Sequence, residues 1–96
     1  MELEELKIKV EYVMGYKMRY ASRPKKKQVR IKKVFIALAM RKTDTKQKEL
    51  ADFMGYKNHT SIQAHLIMPS TRVWLEDYIK EDYQLNKVFN QLMKRL

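Results

Sequence analysis

The sequence predicts an all-α domain. Apolar residues recur at three- and four-residue steps along most of the chain. Glycine occurs only at Gly15 and Gly55, where helices should end. No sustained period-2 alternation and no Asn-Gly or Asp-Gly hairpin turn is present. The chain has 96 residues, 45% of them hydrophobic, enough for one core and too few for two, so 1–96 is expected to be a single compact helical domain.

The first helix is expected over about Leu3 to Met14, where Leu3, Leu6, Val10, Val13 and Met14 share a face. Glu2, Glu4 and Glu5 suit the positive end of its dipole, and Gly15 suits its C-terminal cap. A basic loop over about 16–28 follows, broken by Ser22-Arg23-Pro24. The second helix should run from about Lys27 to Arg41 and bury Ile31, Val34, Phe35 and Leu38. Its cations lie at its beginning, against the dipole, a placement that makes sense where a phosphate approaches that end.

Asp44 or Thr45 should cap a third helix, with Gln47 completing a capping-box-like pair with Asp44. Leu50, Ala51, Phe53 and Met54 give it an apolar face, and Gly55 ends it. A fourth helix begins near Asn58 and stops before Pro69. Ser70 or Thr71 then caps a C-terminal helical segment over about 70–96. Its stripe of Trp74, Tyr78, Leu85, Val88, Phe89, Leu92 and Leu96 fits one long helix or two shorter ones, and Glu76-Asp77 and Glu81-Asp82 read as a solvated acidic face.

The formal net charge is +10, and it is concentrated. Between Tyr12 and Thr43 there is no Asp or Glu, yet there are eleven Lys or Arg: Lys17, Arg19, Arg23, Lys25, Lys26, Lys27, Arg30, Lys32, Lys33, Arg41 and Lys42. Such a face repels itself unless a polyanion neutralises it with release of counterions. The competing explanation is an ordinary solvated lysine surface. There is no cysteine, which excludes disulfides and cysteine zinc sites. There is no apolar run of about 18 residues, and the acidic start is unlike a signal peptide. A cytoplasmic, nucleoid-associated location with no membrane partner is the expectation.

Gln47 to Gly55 followed by a short second helix has the grammar of a helix-turn-helix, spanning about 45–67. Ala51 lets the two helices approach, Gly55 makes the turn, and Ile62 and Leu66 anchor the second helix. Lys57, Asn58, His59, Thr60 and Ser61 then form a polar helix start, the end that such a motif places in the major groove. Asparagine can both donate to and accept from a base edge, and a threonine methyl can pack on a thymine methyl. The plainer reading makes Asn58 an N-cap and the hydroxyls capping residues.

Gly55-Tyr56-Lys57-Asn58-His59-Thr60-Ser61-Ile62 resembles the signature of the C-terminal DNA-binding domain (domain IV) of the bacterial replication initiator DnaA. That signature runs glycine, a variable residue, a basic residue, Asp-His-Thr-Thr and an aliphatic residue. Upstream, Val29 to Met40 is similar to the family's Ala-Arg-Pro-Arg-Gln stretch and the helix after it, and Lys48 to Met54 matches the helix before the signature, with no gap between the blocks. The resemblance covers roughly residues 10 to 96 and is best from 29 to 62.

It implies a Trp-repressor-like fold that binds double-stranded DNA at two places. Lys57, Asn58, His59, Thr60 and Ser61 would meet the major groove. Arg23, with Lys25 and Lys26 as substitutes, would enter the minor groove, and Lys27, Arg30, Lys32 and Lys33 would add backbone contacts. The family's aspartate is Asn58 here, which shifts preference from cytosine toward adenine. Pro24 stands where a gap-free alignment places the minor-groove arginine, His65 is displaced by one residue, and Pro69 shortens a helix that usually runs on.

The family's domain binds its site as one unit, which implies a monomer, acting alone or fused to or alongside a larger replication protein. The initiator's ATPase needs a phosphate loop, and the two glycines here are forty residues apart, so the expected role is DnaA-box-like site recognition without ATP hydrolysis. The alternatives are an RNA-binding or ribosome-associated basic protein, a helix-turn-helix transcriptional regulator, and a partner-binding module on the C-terminal helix. RNA binders more often expose aromatic residues for stacking, whereas the aromatics after Val73 read as core. No catalytic residues, cofactor, small-molecule substrate or metal is expected. His59 and His65, six apart on one helix, fall about 240° apart around it.

Overall fold

In a computed structural model, residues 2–18, 26–56, 67–68 and 73–96 are described. The helix over Lys26–Lys42, α2, is the axis around which the rest is built. Residues 31 to 39 are buried without interruption, nine in a row. A helix is buried all round when neighbours cover every side. Here α1 (Leu3–Met14) packs against α2, and the C-terminal pair α4 (Leu75–Glu81) and α5 (Tyr83–Arg95) packs against it too. The helix α3 (Gln47–Phe53) joins through Phe53, whose ring stacks on Phe35 at 5.8 Å between centroids.

The expected stripe of Ile31, Val34, Phe35 and Leu38 is buried, and so are Ile36, Ala37 and Ala39. Each fully buried aliphatic or aromatic side chain contributes about 1.5–3 kcal/mol. Leu6 and Val10 of α1, Leu50, Ala51 and Met54 around α3, and Leu75, Ile79, Leu85, Phe89 and Leu92 of the C-terminal pair complete the same core. The Cα radius of gyration is 12.3 Å, close to the roughly 12.5 Å of a compact chain this long.

The helix ends follow local chemistry. Gly15 takes φ +87°, and its N–H donates to the Glu11 carbonyl at 2.9 Å, so α1 stops where the sequence expects. Asp44 does not cap α3. Its N-cap is Lys46, with no side-chain bond. The Thr43 hydroxyl instead donates to the Ala39 carbonyl at 2.6 Å, and its oxygen accepts the Thr45 N–H at 3.3 Å, so the connection closes the end of α2 first.

The C-terminal segment is two helices, parted at Asp82. That residue is extended (φ −98°, ψ 112°), and its carboxylate accepts the Leu85 N–H at 3.2 Å, a side-chain N-cap for α5. Trp74 departs from the expected helical stripe. Val73–Trp74 (β2) pairs antiparallel with Ile67–Met68 (β1), Ile67 opposite Trp74 and Met68 opposite Val73. A two-residue ladder is too short to leave a period in the sequence. Apart from it, the described architecture is all-helical, with five helices among the described residues. Among the described residues no helix is long and apolar enough to cross a membrane.

Candidate nucleic-acid interface

The basic loop enters and leaves at one place. The Tyr16 hydroxyl donates to the Lys27 carbonyl at 2.7 Å, and Gln28 Nε2 donates to the Lys17 carbonyl at 2.8 Å. The Met18 N–H donates to Glu11 Oε2 at 2.7 Å, and the Met18 side chain is buried. The chain after α1 is thus pinned against the first turn of α2. Burial raises the Tyr16 hydroxyl above its ordinary pKa, and the Arg30 charge opposes that more weakly.

Beside this junction lies an open groove of about 840 Å³, formed by the end of α1, the start of α2 and α5 as far as Gln91. Lys26, Lys27, Arg30 and Lys87 bring positive charge to it, Tyr16 and Tyr83 bring aromatic rings, and Val13, Met14 and Val88 give it apolar surface over the buried Leu85. No Asp or Glu is among the described residues lining it. Lys27 Nζ lies 6.0 Å from the Tyr16 ring centroid, at the limit of a cation–π contact.

The cations that sequence reasoning grouped together on α2 separate into three kinds. Lys26 and Lys27 are exposed at its first turn. Arg30 lines the groove, but Nη2 donates to Asp82 Oδ1 at 3.3 Å and to Gln84 Oε1 at 2.9 Å, tying α2 to the start of α5. Lys32 and Lys33 are only 6% and 5% exposed, a correction to their expected place on a phosphate-facing surface. They fall on the stretch of α2 that neighbours cover on every side, and burial lowers the pKa of both. Lys33 Nζ sits 5.2 Å from the Tyr78 ring centroid, so an aromatic face rather than a phosphate receives it.

The turn ahead of the expected reading end is a Schellman motif. The Tyr56 N–H donates to the Ala51 carbonyl at 2.9 Å, the Gly55 N–H donates to the Asp52 carbonyl at 3.2 Å, and Gly55 has φ +77°. Ala51 is 1% exposed, the close-packed position that a helix-turn-helix needs. Tyr56 is half-buried against the core, which raises its hydroxyl pKa. Lys57, Asn58, His59, Thr60 and Ser61 lie outside the described residues, as do Arg23, Lys25, Ser70, Thr71 and the expected fourth helix.

Sequence reasoning missed Asp82, Tyr83, Lys87 and Glu76. Asp82 and Glu76 belong to the acidic runs that read as solvated. Asp82 caps α5 and pairs with Arg30, while Glu76 accepts from Arg41 Nε, and from Arg41 Nη2 at 2.7 Å. Tyr83 and Lys87 are legible as an i,i+4 pair continuing to Gln91, beside an apolar stripe that points to the core. Tyr83 is 81% exposed, which corrects the expectation that the aromatics after Val73 are core. No protein-family model, no curated protein and no solved structure matches this chain.

Proposed function

We propose that the chain is a sequence-specific binder of double-stranded DNA, reading a site like the one recognised by the DnaA initiator's C-terminal domain and hydrolysing no ATP. The observation that carries this reading is the turn Ala51–Tyr56. A buried alanine and a left-handed glycine end α3 immediately before Lys57-Asn58-His59-Thr60-Ser61, the order of parts in a helix-turn-helix. The joined ends of the basic segment and the exposed Lys26 and Lys27 support a second, charge-based contact to the sugar–phosphate backbone.

In this reading Asn58, His59 and Thr60 meet base edges, and Lys57 and Ser61 hold bases or phosphates beside them. Arg23 or Lys25 reaches the adjacent minor groove, and the chain acts as a monomer. Selection of bound sites from a random duplex pool tests it. Enrichment of one short asymmetric motif, lost in Asn58→Ala, is the expected result. A pool that stays random after repeated rounds overturns it.

A further inference from the structure

We propose that the groove between the end of α1, the start of α2 and α5 is a second nucleic-acid site, one that takes a single strand rather than a duplex. Four features of the groove point the same way. Its charge is wholly positive among the described lining residues, and Asp82, next to Tyr83 in the chain, is already held by Arg30. Lys26, Lys27 and Lys87 are exposed, and none makes an ion pair among the described residues. Tyr83 projects an unburied ring from the first turn of α5, one helical turn before Lys87, so a base on the ring would bring its phosphate toward the ammonium. The apolar floor of Val13, Met14 and Val88 suits the face of a base.

A duplex offers its outer surface as phosphates and keeps base faces stacked inside, so an exposed tyrosine and an apolar floor are of no use to it. A single strand presents both phosphates and bare base faces, and proteins hold it by pairing cationic tracks with aromatic platforms. The volume of about 840 Å³ falls within the roughly 300–1,000 Å³ of ligand sites, enough for bases and not only for an ion. The glutamines at 84 and 91 add amide groups that donate and accept on the same walls. Lys26 and Lys27 are shared with the backbone contact of the duplex reading, while Tyr83, Lys87 and the apolar floor belong to the groove alone.

The test is equilibrium binding of the whole chain to a labelled oligo-dT of about 12 nucleotides, with an oligo-rU of equal length and a duplex as competitors. Three phosphates on Lys26, Lys27 and Lys87 give a salt slope of roughly −2, reduced by about 0.7 in Lys87→Ala. Tyr83→Ala weakens oligo-dT binding roughly 5- to 150-fold while Tyr83→Phe, which keeps the ring, binds like the parent. Both variants leave the selected duplex bound as before, whereas Asn58→Ala spoils duplex selectivity and leaves oligo-dT binding intact. The failure of either site is thereby visible without the other. Competition by oligo-dT and oligo-rU alike supports a site for backbone and base faces. Unchanged oligo-dT binding in Tyr83→Ala, or a mononucleotide binding as tightly as the oligonucleotide, overturns the proposal.

Discussion

Arg30 and Asp82 are 52 residues apart in the chain and meet at 3.3 Å, and the Asp82 oxygen that receives the guanidinium also accepts the Leu85 N–H that starts α5. One carboxylate therefore sets the beginning of the last helix and fastens it to the central one. Asp82→Ala removes both functions and should cost about 1–2 kcal/mol in denaturant unfolding. Asp82→Asn keeps a capping oxygen and should recover most of that loss. An asparagine variant as unstable as the alanine one would show that the pair, not the cap, dominates.

The Glu76 carboxyl is held below its ordinary value by the Arg41 hydrogen bonds first and by the Arg41 charge with them, while burial opposes the shift. A depressed carboxylate stabilises the fold above its unfolded pKa, near 4.5, and that stabilisation disappears as pH falls through the lower folded value. Melting temperatures of the parent and Glu76→Gln should differ by a constant amount above about pH 5 and converge in acid. The Arg41 side chain is 56% exposed, so added salt should shrink the difference at neutral pH.

Lys33 should serve packing rather than phosphate binding. Lys33→Met keeps the apolar stem and removes an ammonium whose charged form is penalised by burial. Stability at pH 7 should stay within about 1 kcal/mol of the parent, since the lost cation–π contact and the relieved desolvation oppose each other. The folded pKa is the lower one, so the unfolded chain binds more protons in the window below 10.5, and the parent should gain on the variant as pH rises through it. The salt slope of duplex binding should not change; a slope reduced by about 0.9 would place Lys33 on the DNA.

Gly15 and Gly55 both hold positive φ, +87° and +77°, and they serve different ends. A Cβ at Gly15 would meet nothing within 4 Å, so Gly15→Ala should cost only the backbone strain of about 1–2 kcal/mol and leave DNA binding alone. Gly55→Ala should cost a similar amount and, on the proposed reading, also lower duplex affinity, since its turn immediately precedes Lys57. Equal binding by the two variants, measured where both are folded, would detach that turn from recognition.

Asn58→Ala and His59→Ala should each cost about 1–3 kcal/mol on the selected duplex and little on random DNA. Lys26→Ala should weaken both alike. If about six phosphates are neutralised, log K should fall with log salt at a slope of roughly −5. Equal losses on selected and random duplex for Asn58→Ala would remove it from base reading.

What was legible in the sequence was local. The bounds of α1, and those of α2 to within one residue, follow from apolar spacing together with punctuation such as Gly15, and the turn at Gly55 follows from glycine's backbone freedom. What was hidden was tertiary. Nothing in the spacing of α2 says that helices cover all of its sides, so Ile36, Ala37 and Ala39 fell outside the expected stripe and Lys32 and Lys33 read as surface. Asp82 and Glu76 took their roles from arginines 52 and 35 residues away, beyond any local pattern. Tyr83 reads like any core aromatic, yet the fold leaves it 81% exposed.

The bonds joining Tyr16 to Lys27 and Lys17 to Gln28 also have an entropic consequence. A chain segment that must hold cations against a polyanion first has to bring its two ends together, a cost that grows as the logarithm of its length. Here the ends meet within the fold itself, so closure belongs to folding and is already complete when a ligand arrives. On the proposed reading, affinity for phosphates then depends on the cations between those ends, and severing the Tyr16 link by Tyr16→Phe would transfer part of the closure cost from folding to binding.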